Sequence, residues 1–166
     1  MQPTPSSLPL SVEDRFLHAV KMVAVPLSMS PWGPFIHGWH ESARFERVIG
    51  KSNLLGLKAS RGWTGKVVTV MTHEYVNGAR IQLPQAFADW DTLEEMMIFY
   101  VALIKRFYPS SWEHRDNPIL YFSGLVSGSY RYATDLQYER KLEELYRKIS
   151  GSEQYKDVQQ KVKSLS

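Results

Sequence analysis

Apolar residues along the 166-residue chain change between two spacings, and the changes mark its elements. From Ser11 the pattern is helical. Ser-Val-Glu-Asp has the form of a capping box, and Phe16, Leu17, Val20 and Val23 follow near helical spacing until Pro26. Ser28 to Gly33 reads as a turn, and Pro34 suits the first position of a second helix. In that helix Phe35, Trp39, Ser42, Phe45 and Ile49 form one stripe. Residues 50–62 read as loop. From Val67 to Leu83 the spacing becomes an alternation around Asn77-Gly78, the strongest short-range signal for a two-residue hairpin. Helical spacing returns at Asp91-Thr92-Leu93-Glu94, which caps a long amphipathic helix through Phe107, closed by Pro109. Asn117-Pro118 begins a short helix ending near Gly128. Thr134 opens a final one, with Glu143/Arg147 and Glu144/Lys148 as supportive pairs.

Helices, one hairpin, then helices again predict an α+β fold that is mostly helical, with the hairpin as a small β lobe. Residues 1–10 are expected to be a flexible lead-in, 11–150 a single domain, and 151–166 a polar C-terminal tail that frays. The length suits one domain with a substantial core. The longest apolar run, Met96 to Ile104, is far too short to span a bilayer. Met1 to Pro9 lacks a cationic start, so the expectation is synthesis in a cytosol without a signal peptide. With no cysteine, disulfides and thiolate metal sites are excluded. A net charge of +3 selects no anionic partner by itself.

Two carboxylates stand out. With Asn77-Gly78 as a type I′ turn, Glu74 lies opposite Ile81 and Thr72 opposite Leu83. Val68, Val70, Thr72, Glu74, Val76, Ala79, Ile81 and Leu83 then share a face on which Glu74 is the only ionisable group. A carboxylate there costs free energy unless it is paired, faces a cleft, or reaches water from a strand end. Glu41 lies beside the aromatic stripe of the second helix. It reads either as a surface partner of Arg44 or as an acid whose pKa is raised by poorly hydrated aromatic surroundings. Two carboxyl groups on separate elements facing one cleft are what acid-assisted cleavage of a glycosidic bond needs.

Other patterns carry less. His37, His40 and Glu41 lack the His-Glu-x-x-His spacing and a third ligand, so no metal or other cofactor is expected. Gly62-Trp63-Thr64-Gly65-Lys66 lacks the spacing of a phosphate loop, and no Gly-x-Ser-x-Gly is present. Trp63, Phe87, Trp90, Tyr130, Tyr132 and Tyr138 have faces suited to stacking on sugars or bases, of which a minority is expected to reach a ligand.

Four ordered blocks between roughly residues 36 and 150 carry a resemblance. Glu41-Ser42, Ser52-Asn53-Leu54-Leu55-Gly56-Leu57-Lys58, Thr72-His73-Glu74-Tyr75-Val76-Asn77-Gly78, and Tyr132-Ala133-Thr134-Asp135 with Tyr138 together resemble the glycoside hydrolase family 73 glucosaminidases. The resemblance implies a lysozyme-like fold in which a helical lobe and a β-hairpin lobe flank a glycan-binding groove. It implies that Glu41 is the general acid, Glu74 the second carboxylate and Tyr132 a tyrosine at the cleavage subsite. Asn53, Thr134, Asp135 and Tyr138 then match motif positions that shape the groove, and Tyr75 and Trp90 are also expected to bind substrate. The chain departs from the pattern after Ser42, where a Gly-Trp-Gly-like continuation is replaced by Ala43-Arg44-Phe45, and at Leu55, which replaces a common Phe.

The activity implied is hydrolysis of the β-1,4 bond between N-acetylglucosamine and N-acetylmuramic acid in peptidoglycan, by a monomeric enzyme without nucleic-acid partner or membrane span. The setting implied is that of a type VI secretion effector acting in the periplasm of a target cell, with an immunity protein occluding the groove. The alternatives are a muramidase or lytic transglycosylase of phage or flagellar wall remodelling, and a non-catalytic glycan- or nucleic-acid-binding module.

Overall fold

Ser11 caps the first helix as expected in the computed structural model, which describes residues 9–166; residues 1–8 of the expected lead-in lie outside the described residues. The Ser11 hydroxyl accepts the Asp14 N–H at 3.0 Å and starts α1, Val12–Ala19. Wider and then tighter helical turns carry the chain to Leu27, and Ser28 reverses it with φ of 61°.

Helix α2 spans Trp32–Glu41, so it begins before Pro34 and ends eight residues short of Ile49. Ser42 is the reason. Its hydroxyl donates to the Gly38 carbonyl at 2.6 Å and accepts the Phe45 N–H at 2.8 Å. Ala43, Arg44 and Phe45 then adopt left-handed φ of 49°, 64° and 62°. This turn swings Phe45 back against Phe16, Phe35 and Trp39. The apolar stripe therefore does reach the core, through a turn that helical spacing alone does not reveal.

The hairpin pairs β1, Lys66–Val76, with β2, Ala79–Asp89, and sets Glu74 opposite Ile81 and Thr72 opposite Leu83 as expected. Asn77 and Gly78 have φ of 51° and 79°, the signs a type I′ turn requires. Strand β2 runs past Leu83 through Pro84 to Asp89. Ala88 N–H and Ala86 C=O bond outward to Leu57 and Ala59, at 3.0 and 2.9 Å. Pro84 shares their parity, so its missing N–H falls on the outer edge and not in the ladder.

Helix α3, Leu93–Phe107, is capped by Thr92, whose hydroxyl accepts the Glu95 N–H at 3.2 Å. Pro109 closes it but also starts a short helix, α4, Pro109–Glu113. Asn117 caps α5, Pro118–Ser127. Helix α6, Tyr138–Gly151, begins later than Thr134, because Asp135 holds a turn with the Gln137 N–H at 2.9 Å and the Tyr138 N–H at 3.1 Å. Along α6, Glu144 pairs with Arg140 at 3.6 Å instead of with Lys148, which lies over the Tyr155 ring.

The segment expected to be a polar fraying tail is ordered. It forms α7, Lys156–Lys163, burying Val158 and Val162, with Lys161 bonded to Glu13 and Asp14 at 3.3 and 2.9 Å. A single valine every fourth residue is enough to dock so short a helix, though it leaves the composition polar. Among the described residues, seven helices surround a core centred on Phe16, Phe35, Tyr100, Tyr121 and Phe122, and the hairpin projects from it. The architecture is the expected α+β, mostly helical one, with a helical lobe and a β-hairpin lobe flanking a groove.

Candidate active site

Glu41 is the last residue of α2, where helix geometry aims it out of the core, while its surroundings exclude most water. The side chain is 22% exposed. Burial raises its pKa to about 6, against the opposing effect of a hydrogen bond donated by the Tyr138 hydroxyl to Oε1. His37, one turn earlier, has Nε2 3.8 Å from the same oxygen. Arg44, the partner considered from sequence, lies over the Trp39 ring at 5.0 Å instead.

The loop from Asn53 to Lys58 forms the wall facing Glu41. Asn53 is buried, and its amide organises this loop completely. It donates to the Leu57 and Ala88 carbonyls, both at 2.8 Å, and accepts from the Leu55 and Leu57 N–H groups at 3.3 and 3.1 Å. Asn53 thus shapes the groove and leaves no group for a ligand. Gly56, with φ of +62°, comes against Oε2 of Glu41.

Glu74 projects from β1 and accepts a bond from Lys58 Nζ at 3.2 Å. Glu41 and Glu74 line one cleft of about 550 Å³, together with Gly56, Lys58, Phe87, Tyr132 and Thr134. The two carboxylates singled out in the sequence are therefore brought together. Tyr132 donates to the Leu55 carbonyl at 2.5 Å, and its ring stacks nearly parallel on that of Tyr138. Burial, with Glu41 beside it, pushes its pKa well above the ordinary value, so its hydroxyl keeps its proton.

The remaining expected residues divide. Thr134 lies on the cleft. Tyr138 is buried, and its hydroxyl bonds Glu41 at the cleft. Three residues are placed elsewhere. Tyr75 is 69% exposed on the opposite face of the hairpin, as strand alternation requires. Trp90 packs against Trp63 and Phe99, 5.4 and 5.2 Å between centroids. Asp135 spends its carboxylate on the α6 turn and on Lys141, at 2.5 Å. Arg131, not singled out in the sequence, does line the cleft. His37 was also missed as a neighbour of the acid, although its i,i+4 spacing from Glu41 marks the shared helix face. Among the described residues no group of three His, Asp or Glu side chains is placed to hold a metal ion.

No family model and no curated protein matches the chain. Solved structures do. The peptidoglycan hydrolase from Sphingomonas sp. A1 superimposes with a TM-score of 0.69 at 20% identity, over 93% of this chain and 94% of that one. The catalytic domain of the autolysin Auto from Listeria monocytogenes gives 0.62 at 24% identity, over 97% and 90%. The glycoside hydrolase domain of FlgJ from Salmonella typhimurium, C-terminally truncated, gives 0.60 at 24% identity, over 84% and 99%. These likenesses span nearly the whole of each chain, and they show that this chain has the lysozyme-like fold of those hydrolases.

Proposed function

We propose that the chain is a peptidoglycan hydrolase of glycoside hydrolase family 73, cleaving the β-1,4 bond between N-acetylglucosamine and N-acetylmuramic acid. The observation that carries the reading is Glu41: a carboxyl group with pKa raised to about 6, on a cleft that it shares with the second carboxylate, Glu74. An acid of that strength is still partly protonated near neutral pH and gives its proton to the departing glycosidic oxygen. Glu74, anchored by Lys58, faces the sugar that acquires oxocarbenium character. Tyr132, Phe87 and Thr134 line the groove along which the glycan lies. The fold shared with peptidoglycan hydrolases, and the ordered family 73 blocks, support the same substrate.

The setting proposed is the periplasm of a target cell, reached by type VI secretion, with an immunity protein plugging the open groove. Its test is co-expression: periplasmic targeting of the chain lyses cells unless a groove-binding partner is supplied. The activity itself is tested by mass spectrometry of digested peptidoglycan. The expected product carries reducing-end N-acetylglucosamine, and Glu41→Gln yields none. Reducing-end N-acetylmuramic acid would make the enzyme a muramidase, and an anhydro sugar a lytic transglycosylase.

A further inference from the structure

Five side chains from four helices form an unbroken chain of hydrogen bonds ending at Glu41. Tyr121 of α5 bonds Tyr100 of α3 through their hydroxyls. The Tyr100 hydroxyl meets His37 Nδ1 at 2.6 Å, and His37 Nε2 meets the Tyr138 hydroxyl at 2.8 Å. Tyr138 donates to Glu41 Oε1. Tyr121, Tyr100 and His37 are fully buried, so the links among them replace water and have no solvent alternative.

The donors can be assigned by counting hydrogens. A phenol has one, and Tyr138 spends it on Glu41. Its oxygen must then accept from His37, which puts the imidazole hydrogen on Nε2. Nδ1 is left with a lone pair and accepts from Tyr100, whose oxygen accepts from Tyr121. Burial, with His40 nearby, holds the His37 pKa well below the usual range, consistent with one ring hydrogen. The charged and titratable groups around the chain are Glu41 itself, His40 on α2, Tyr108 and Tyr132, with Asp135 and Lys141 beyond His40.

We propose that Tyr121, Tyr100, His37 and Tyr138 act as a directional hydrogen-bond chain that keeps the proton of Glu41 on Oε2, with His37 as a positioning residue fixed in its Nε2–H tautomer. The inference rests on Glu41 being the acid. Oε1 is occupied by the Tyr138 hydrogen, so the carboxylic proton resides on Oε2, the oxygen that faces Gly56 at the cleft. With the chain reversed, the carboxyl would donate from Oε1 to Tyr138, and its proton would point into the protein, away from any substrate.

The test joins nitrogen NMR of His37, in the protein without substrate, to steady-state kinetics on peptidoglycan. The wild type is expected to show a neutral Nε2–H imidazole across about pH 5 to 8. Tyr100→Phe keeps the ring but removes the donor to Nδ1. It is expected to mix the tautomers and lower kcat on the order of tenfold at unchanged KM. Tyr138→Phe is expected to move the basic limb of the kcat–pH profile upward, because the bond it deletes favours the carboxylate. An Nδ1–H tautomer in the wild type, or Tyr100→Phe with wild-type kcat, overturns the proposal. The first of these needs no variant to fold. An inactive Glu41→Gln alongside the wrong tautomer defeats the chain alone. A Glu41→Gln that cleaves at the wild-type rate defeats the acid reading, and the chain's catalytic role with it.

Discussion

Gly56 stands so close to Glu41 that a Cβ at position 56 would lie 3.0 Å from Oε2. The left-handed φ of +62° at Gly56 adds a backbone reason for glycine at the same place. Gly56→Ala is therefore expected to lower stability by about 1–2 kcal/mol. It should also push the acid off its line to the glycosidic oxygen and lower kcat on the order of tenfold or more. Chemical denaturation and peptidoglycan turnover, measured on the same preparation, check both.

Glu41 binds its proton more tightly folded than unfolded, because its pKa rises from an ordinary 4.5 to about 6. The stabilisation this represents is fully present below pH 4.5 and is lost as pH rises through about 6. The gap corresponds to about 2 kcal/mol. Glu41→Gln, which cannot ionise, should be more stable than wild type by about that amount at pH 8, with the difference closing at pH 4. Wild-type turnover should fall over the same rise in pH, since the acid must be protonated to act. Urea melts at the two pH values, with a pH–rate profile, give the comparison.

The turn after Glu41 holds three non-glycine residues at left-handed φ, and two of them, Ala43 and Phe45, stand where the family 73 pattern has glycine. Ala43 is exposed, with a left-handed φ of 49°, so Ala43→Gly is expected to stabilise by about 1 kcal/mol. Phe45 is only 5% exposed and packs on Phe16 and Phe35. Phe45→Gly should cost about 3–5 kcal/mol of packing, more than the relieved backbone returns. Thermal melts of the two variants should move in opposite directions.

This turn also marks where the sequence stops being legible. The turn and register of the hairpin could be read to the residue, because Asn77-Gly78 fixes the turn and alternation fixes the faces, down to Glu74 opposite Ile81, whereas the run of β2 past Leu83 to Asp89 was not. Ser42 defeated the reading of α2: a serine hydroxyl bonding one turn back and three residues on ends a helix without breaking its apolar period. Glu41 and Glu74 were visible as carboxylates in apolar company. Asn53 was visible only as a motif residue, since a buried amide satisfied by four backbone groups looks in sequence like one aimed at a ligand. The bonding of His37 was hidden for a related reason. Its partners Tyr100 and Tyr138 lie 63 and 101 residues away, and no local spacing announces a contact of that length.

Helix α7 supplies a prediction about stability far from the cleft. Val162 is fully buried, although its helix is otherwise polar. Tyr155, at the entry to α7, packs edge-on against Trp39 on the helix that carries Glu41. Val162→Asp would bury an unpaired carboxylate and should cost several kcal/mol, roughly 3 or more. Amide hydrogen exchange should then rise first in residues 152–166 and next around Trp39.

Lys58 and Glu74 pair at 3.2 Å with side chains 54% and 26% exposed, too wet for the pair to add much to stability. Its effect is expected in the chemistry, because Lys58 fixes where the second carboxylate points on an otherwise projecting hairpin. Lys58→Met should leave the melting curve within about 0.5 kcal/mol of wild type yet lower kcat several-fold. Glu74→Gln should lower kcat further on its own. If Lys58 acts through Glu74, adding Lys58→Met to Glu74→Gln should change little more, giving a coupling energy above about 0.5 kcal/mol in the double-mutant cycle. Independent, additive losses would instead assign Lys58 its own contact with the glycan.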